Sequence, residues 1–152
     1  MRVVLDTNQI VSGGIEWLGR NTPDVPRNGS TADVPLNDSR RVLIRVAVHH
    51  TGLYSGKIIG EYLEKLIDRG HPQERVLKLV TLIMGAFERV SIVSVSAPTR
   101  PSDPDDEVFL LCAIDGHADL LVTEDHALLN IRHAYDPPKI GRCADLVSAI
   151  GA

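Results

Sequence analysis

The chain reads as an α/β domain with a mainly parallel central sheet. Three observations predict this. Short apolar runs of strand length (2–5, 119–123 and around Ile140) are separated by longer stretches of helical periodicity. Strands that alternate with helices pair in parallel through crossover connections. The 152 residues suit one domain, with no internal repeat and no sign of a second unit.

Each element follows in order. Residues 2–5 (Arg-Val-Val-Leu) form a short buried strand that ends at Asp6. A helix within 9–19 is weakened by Gly13, Gly14 and Gly19. Residues 20–38 carry Pro23, Pro26 and Pro35 among polar residues and read as a loop or mobile segment. Ser39 is placed to cap a helix through about His50, with Val42, Leu43 and Val46 on its apolar face. Ser55 caps a second helix, whose stripe runs Ile58, Ile59, Tyr62, Leu63, Leu66, Ile67 and which stops at Gly70-His71-Pro72. A third spans 73–87, with Val76, Leu77, Val80, Ile83, Met84 and Phe87 as its stripe. Val90 to Val95 alternates with serine and predicts a strand, and 98–104 a loop. Asp103 then caps a helix with Pro104 first, and Val108 to Ile114 is apolar almost all round, as in a deeply buried helix. Strand 119–123, a strand near Ile140 and a helix from about Cys143 complete the chain.

Composition narrows the function. Hydrophobic residues at 43% supply a real core, and aromatics at 4% leave few stacking platforms for bases. A net charge of −4 excludes coating of nucleic acid by bulk charge. The two cysteines, Cys112 and Cys143, read as free thiols. No apolar run reaches the roughly 18 residues that span a bilayer. The amino terminus lacks a signal-peptide layout, so a soluble cytoplasmic protein with no membrane partner is expected. The six histidines show no zinc spacing.

The chemistry-bearing residues are acids. Ligands of open parallel sheets bind beyond the carboxyl ends of the strands. Asp6 and Asp125 both follow strands there, Asp103-Pro-Asp105-Asp106-Glu107 opens the buried helix, and Glu61 lies on the polar side of the helix after Ser55. Taken singly, each has a structural explanation, as a turn, a cap or a solvated face. Together they repel one another unless a cation neutralises them. Oxygen-only ligands suit Mg²⁺ or Mn²⁺ rather than zinc. Such an ion serves phosphodiester hydrolysis by acidifying water and stabilising phosphoryl charge. Setting aside Asp6, Glu61, Asp106 and Asp125 leaves the remaining formal charge at zero. Basic patches then become possible around Arg40, Arg41 and Arg45, and around Lys57, Lys65 and Arg69, where they can hold an RNA backbone or be a solvated face.

The segment 1–8, Met-Arg-Val-Val-Leu-Asp-Thr-Asn, followed by Ile10-Val-Ser, resembles the opening of PIN-domain proteins. The stretch from Asp103 to Ala113, then Gly116 to Asp125 with Leu128-Leu129, resembles that family's second half, nearest the prokaryotic VapC-like toxins of toxin–antitoxin pairs. Ser55 to Leu66 resembles the family helix with an acid six residues after a serine. The resemblance covers most of the chain apart from about 13–38. It implies a three-layer α/β/α sandwich and metal-dependent cleavage of RNA, with Mg²⁺ or Mn²⁺ as cofactor. An antitoxin protein is the implied partner, and homodimers are common in the family. By position it implies Asp6, Glu61, Asp106 and Asp125 as catalytic metal ligands, with Asn8 and Thr123 in support. Asp106 is chosen three residues before Phe109 and seven before Ala113, with Asp105 and Asp103 as fallbacks. Gln9 departs from the family's usual aliphatic residue, Gly13-Gly14 interrupts its first helix, and 20–38 looks like an insertion.

Two other readings remain. An aspartyl phosphotransferase of the haloacid-dehalogenase type would also place Asp6 after its first strand, but it expects aspartate where Asn8 stands. A non-catalytic PIN-like module that binds RNA or protein would usually lack one of the acids.

Overall fold

The structure is a computed structural model that describes residues 1–21 and 37–152, with side chains described for 1–14 and 37–152. Five strands form one sheet: β1 (Arg2–Leu5), β2 (Thr51–Tyr54), β3 (Glu88–Arg89), β4 (Leu120–Val122) and β5 (Lys139–Gly141). Their order is β3-β2-β1-β4-β5 and every pairing is parallel. The helices are α1 (Thr7–Asn21), α2 (Asp38–His49), α3 (Gly56–Asp68), α4 (Gln73–Ala86), α5 (Glu107–Asp115), α6 (His126–Leu129) and α7 (Cys143–Ile150). They flank the sheet in the α/β/α arrangement expected. Val3, Val4, Leu5 and Leu121 are wholly buried, and α5 lies against β1, β2 and β4. Chain order moves from β1 outward to β3, then returns to β1's other side for β4. The switch point between β1 and β4 is where such sheets open a crevice for ligands.

Several local expectations give way. The glycines of α1 do not end it; they let it pack closely. A Cβ on Gly13 would lie 2.8 Å from Ser39 O, and one on Gly14 would lie 2.5 Å from Leu79 Cδ2. The cap of α2 is Asn37, whose side chain accepts from Arg40 N at 2.8 Å. Ser39 lies inside the helix and donates instead to Gln9 Oε1 at 3.0 Å. That bond explains a buried glutamine where an apolar residue is usual. The loop expected over 20–38 falls mostly outside the described residues; 20–21 belong to α1 and Asp38 to α2.

Strand β2 carries no apolar alternation that would have marked it, and Gly52 interrupts it. A Cβ there would lie 2.6 Å from the Phe87 ring, so the residue must be small. The strand expected at 90–95 is in fact β3 at 88–89, whose pairing ends with Val90 N donating to Tyr54 O at 2.7 Å. Beyond it, Val93 N and Ser94 N both donate to Asp115 Oδ2, at 2.8 and 2.9 Å. A carboxylate has taken the donors a ladder would need, and Val93 and Val95 are left exposed. On α4 the buried stripe is Val76, Leu79, Val80 and Ile83, while Leu77 and Met84 face solvent.

Ser55 caps α3 by accepting from Ile58 N at 3.3 Å, as expected. Asp103 caps a 3-10 turn (Pro104–Asp106) that leads into α5. Cys112 and Cys143 are both free and buried. Arg40 is also buried, so it does not form a surface patch with exposed Arg41. Among the described residues no helix is long and apolar enough to cross a membrane.

Candidate active site

Asp6 is the point where β1 stops and α1 begins. Its backbone N–H still belongs to the sheet, donating to Val122 O at 2.9 Å. Its side chain is already that of a helix entrance: Oδ1 accepts from Thr7 N at 2.6 Å. Oδ2 accepts from the Thr123 hydroxyl, also at 2.6 Å. Thr123 Oγ1 in turn accepts from Asp125 N at 2.9 Å, and Asp125 Oδ1 accepts from Ala127 N at 3.1 Å to open α6. One chain of hydrogen bonds therefore joins the ends of β1 and β4 across the switch point. Tyr62, wholly buried, donates from its hydroxyl to Leu5 O at 2.5 Å and ties α3 to the same end of β1.

Asp106 ends the 3-10 turn and points its carboxylate at this junction. It is 8% exposed, and its Oδ2 is buried with no hydrogen-bond partner among the described residues. Burial first, then the Asp125 carboxylate, which accepts a hydrogen bond from Asp106 only when Asp106 is protonated and otherwise repels it, with Asp6 and Asp103 adding, push its pKa up to about 8. Asp6 is also raised. Burial is the main cause and the Asp125 and Glu61 charges add to it, against the Thr123 and Thr7 hydrogen bonds. Burial raises Glu61 as well, and its charged neighbours are chiefly Glu64 and Asp105, with Asp103 behind them and Lys65 opposing.

The structure thus places Asp6, Thr123, Asp125 and Asp106 together, with half-buried Glu61 on the rim. Asp103 and Asp105 are exposed, and Asn8 is exposed in the first turn of α1 without a hydrogen bond to the acids among the described residues. Among the described residues, no three of the Asp, Glu, His and Cys side chains form a ready-made metal cage. The donor set still fits a hard cation. An orphaned carboxylate oxygen sits among mutually repelling carboxylates, and all-oxygen donors of this kind suit Mg²⁺ or Mn²⁺.

Sequence reasoning missed the supports. Glu107 is buried beside Asp106, where Oε1 accepts from Ala97 N at 2.8 Å and Oε2 from Arg100 Nη2 at 2.9 Å. These contacts hold its carboxyl below the usual range and close the loop that carries Asp103, Asp105 and Asp106. Glu124 Oε1 accepts from Cys143 N at 2.9 Å and anchors the start of α7. Neither glutamate stands in a pattern that announces its partner. A cleft of about 1040 Å³ adjoins the site and shares Glu61 and Asp105 with its rim, although Asp6, Asp106 and Asp125 do not line it.

Comparison with known proteins gives three findings. No curated protein matches the chain. The crystal structure of VapBC2 from Rickettsia felis, bound to a DNA fragment from their promoter, is similar in fold: TM-score 0.53 at 12% identity, over 93% of this chain and 98% of that one. A family model described as PIN domain matches residues 2–127, a span that holds every acid named above. The chain belongs to the PIN-domain family.

Proposed function

We propose that this chain is a Mg²⁺- or Mn²⁺-dependent endoribonuclease that hydrolyses RNA phosphodiesters. PIN domains are generally nucleases, and the residues here suit that work. The observation that carries the reading is the orphaned Asp106 Oδ2, buried beside the Asp6–Thr123–Asp125 hydrogen-bond chain at the switch point. Asp6, Asp106 and Asp125 would hold the ion, with Glu61 acting from the rim. When bound, the ion supplies an acidified water and stabilises charge on a phosphoryl oxygen. Thr123 fixes the direction of the Asp6 carboxylate and the backbone before Asp125. Tyr62 holds the end of β1 in place, and the Glu107–Arg100 contact sets the loop bearing Asp106.

The test is incubation of the pure protein with mixed RNA, with and without EDTA, repeated with Asp6→Asn. Cleavage that needs metal and is lost in Asp6→Asn is expected. Undiminished cleavage by Asp6→Asn removes the mechanism. A second reading, a non-catalytic module that binds RNA or protein, is favoured by the lack of a ready-made three-ligand cage among the described residues. Metal-loaded protein that cleaves no RNA would support it. We further propose that the chain is the toxin of a toxin–antitoxin pair. Support comes from the fold it shares with a protein described as VapBC2. A small open reading frame directly upstream, whose product binds this chain, is the expected finding.

A further inference from the structure

The cleft beside the carboxylates has a polarity of its own. The face of α3 that lines it runs Lys57, Gly60, Glu61, Glu64, positions that share one side of a helix. The cation stands in the first turn, which holds no acid, and the acids begin one turn later. Arg89, on the edge strand β3, reaches over the same helix start, its Nη2 lying 3.8 Å from where a Cβ on Gly56 would be. Neither Lys57 nor Arg89 has an ion pair among the described residues. Between these ends the walls are mixed, with aliphatic Ile92, Val108 and Leu111 beside Ser91 and Ser94, and with Glu107 already engaged by Arg100. The cleft is thus cationic at one end, mixed polar and aliphatic along its walls, and acidic where it meets the candidate metal site.

We propose that this cleft is the subsite for the part of a single RNA strand that flanks the scissile phosphate, with Lys57 and Arg89 holding a backbone phosphate. The proposal rests on the ribonuclease reading and adds to it where the strand runs. At about 1040 Å³ the cleft reaches the upper end of the roughly 300–1,000 Å³ that a single small ligand occupies, which suits a passing chain. A phosphate at the start of α3 meets free backbone N–H groups and two cations, while the carboxylates one turn away repel it and keep the register. Ile92, Val108 and Leu111 offer a base apolar contact without an aromatic platform, so binding is expected to be tolerant of sequence. A duplex cannot turn single bases against such walls, whereas an unpaired strand can.

The test reads binding rather than cleavage, so it is independent of the metal. Fluorescence anisotropy of a labelled single-stranded RNA of mixed sequence is followed in EDTA across a salt series. The variants are Lys57→Ala, Arg89→Ala and their combination; the control is Lys139→Ala, on the opposite edge strand. The combined variant is expected to bind about tenfold more weakly than wild type and to lower the salt slope by about 0.7 for each cation removed. Lys139→Ala should bind as wild type does. Unchanged affinity in the combined variant overturns the subsite, as does failure of the wild type to bind the RNA. So does tight capture in the same cleft of an oligo-arginine peptide, sensitive to Glu64→Gln, when RNA binding does not respond to Lys57 and Arg89. Loss of RNA binding without any metal-dependent cleavage leaves the subsite standing and removes only the ribonuclease reading.

Discussion

Asp106 carries a tension that a single substitution can expose. Its carboxylate is buried, one oxygen has no partner among the described residues, and Asp125 and Asp6 face it with like charge. An orphaned, repelled carboxylate destabilises a fold unless a cation answers it. Asp106→Asn removes the charge and keeps the shape. The variant is expected to melt a few degrees higher than wild type at pH 8 in EDTA, and to lose cleavage. Differential scanning calorimetry beside an RNA cleavage assay checks both, and a variant that melts lower while remaining active sinks the argument. At this scale much was legible. Asp6 could be placed because it follows an apolar strand directly, and Asp125 because it stands two residues beyond the apolar run 119–123. Asp106 could be separated from Asp103 and Asp105 only by the resemblance; in the structure Asp106 is buried, while Asp103 and Asp105 are exposed. Tyr62 read as one more stripe residue, since nothing local shows that its hydroxyl ends at Leu5 O.

Elements follow the sequence where periodicity is long and fail where contact from elsewhere decides. Helices α3 and α4 emerge from their stripes; β2 and the true extent of β3 do not. Strand β2 is only four residues with a glycine inside, and its glycine is required by Phe87, more than thirty positions away. The 90–95 segment alternates like a strand, yet Asp115 takes its donors. The helix glycines show the same logic with a measurable sign. Gly13 meets Ser39 O at 2.8 Å through any added Cβ, so Gly13→Ala must push α1 from α2. The expected cost is about 1–3 kcal/mol, despite the gain in helix propensity. Gly60 in α3 has nothing within 4 Å, so Gly60→Ala should stabilise, by about 0.5–1 kcal/mol. Urea denaturation of both variants checks this; equal effects of the same sign would show that propensity, not packing, governs these positions.

At the scale of the whole molecule, the acid cluster makes stability depend on pH, and the proposed metal site predicts a dependence on divalent cation as well. Asp6, Glu61 and Asp106 all have raised values in the folded chain, Asp106 to about 8. A carboxyl raised by folding binds its proton more tightly when folded. Its stabilising contribution is complete below the ordinary value near 4 and is lost as pH rises through the folded value. The metal-free protein should therefore lose stability between pH 6 and pH 8.5, the upper part of the window that Asp106 sets. Under the proposed function a divalent cation would bind the ionised form, so its effect is expected to run the other way and grow with pH. At a concentration about 100 times its Kd it adds about 2.7 kcal/mol, which for a chain of this size is roughly 2–4 °C of Tm per kcal/mol. Thermal melts in EDTA and in Mn²⁺ are expected to lie close together at pH 6 and to separate at pH 8.5. In Asp106→Asn that separation should shrink. Melts that coincide at pH 8.5 in wild type would mean that the carboxylates at the β1–β4 junction do not gather around an ion. The cluster would then stand only as a destabilising feature that the rest of the fold offsets.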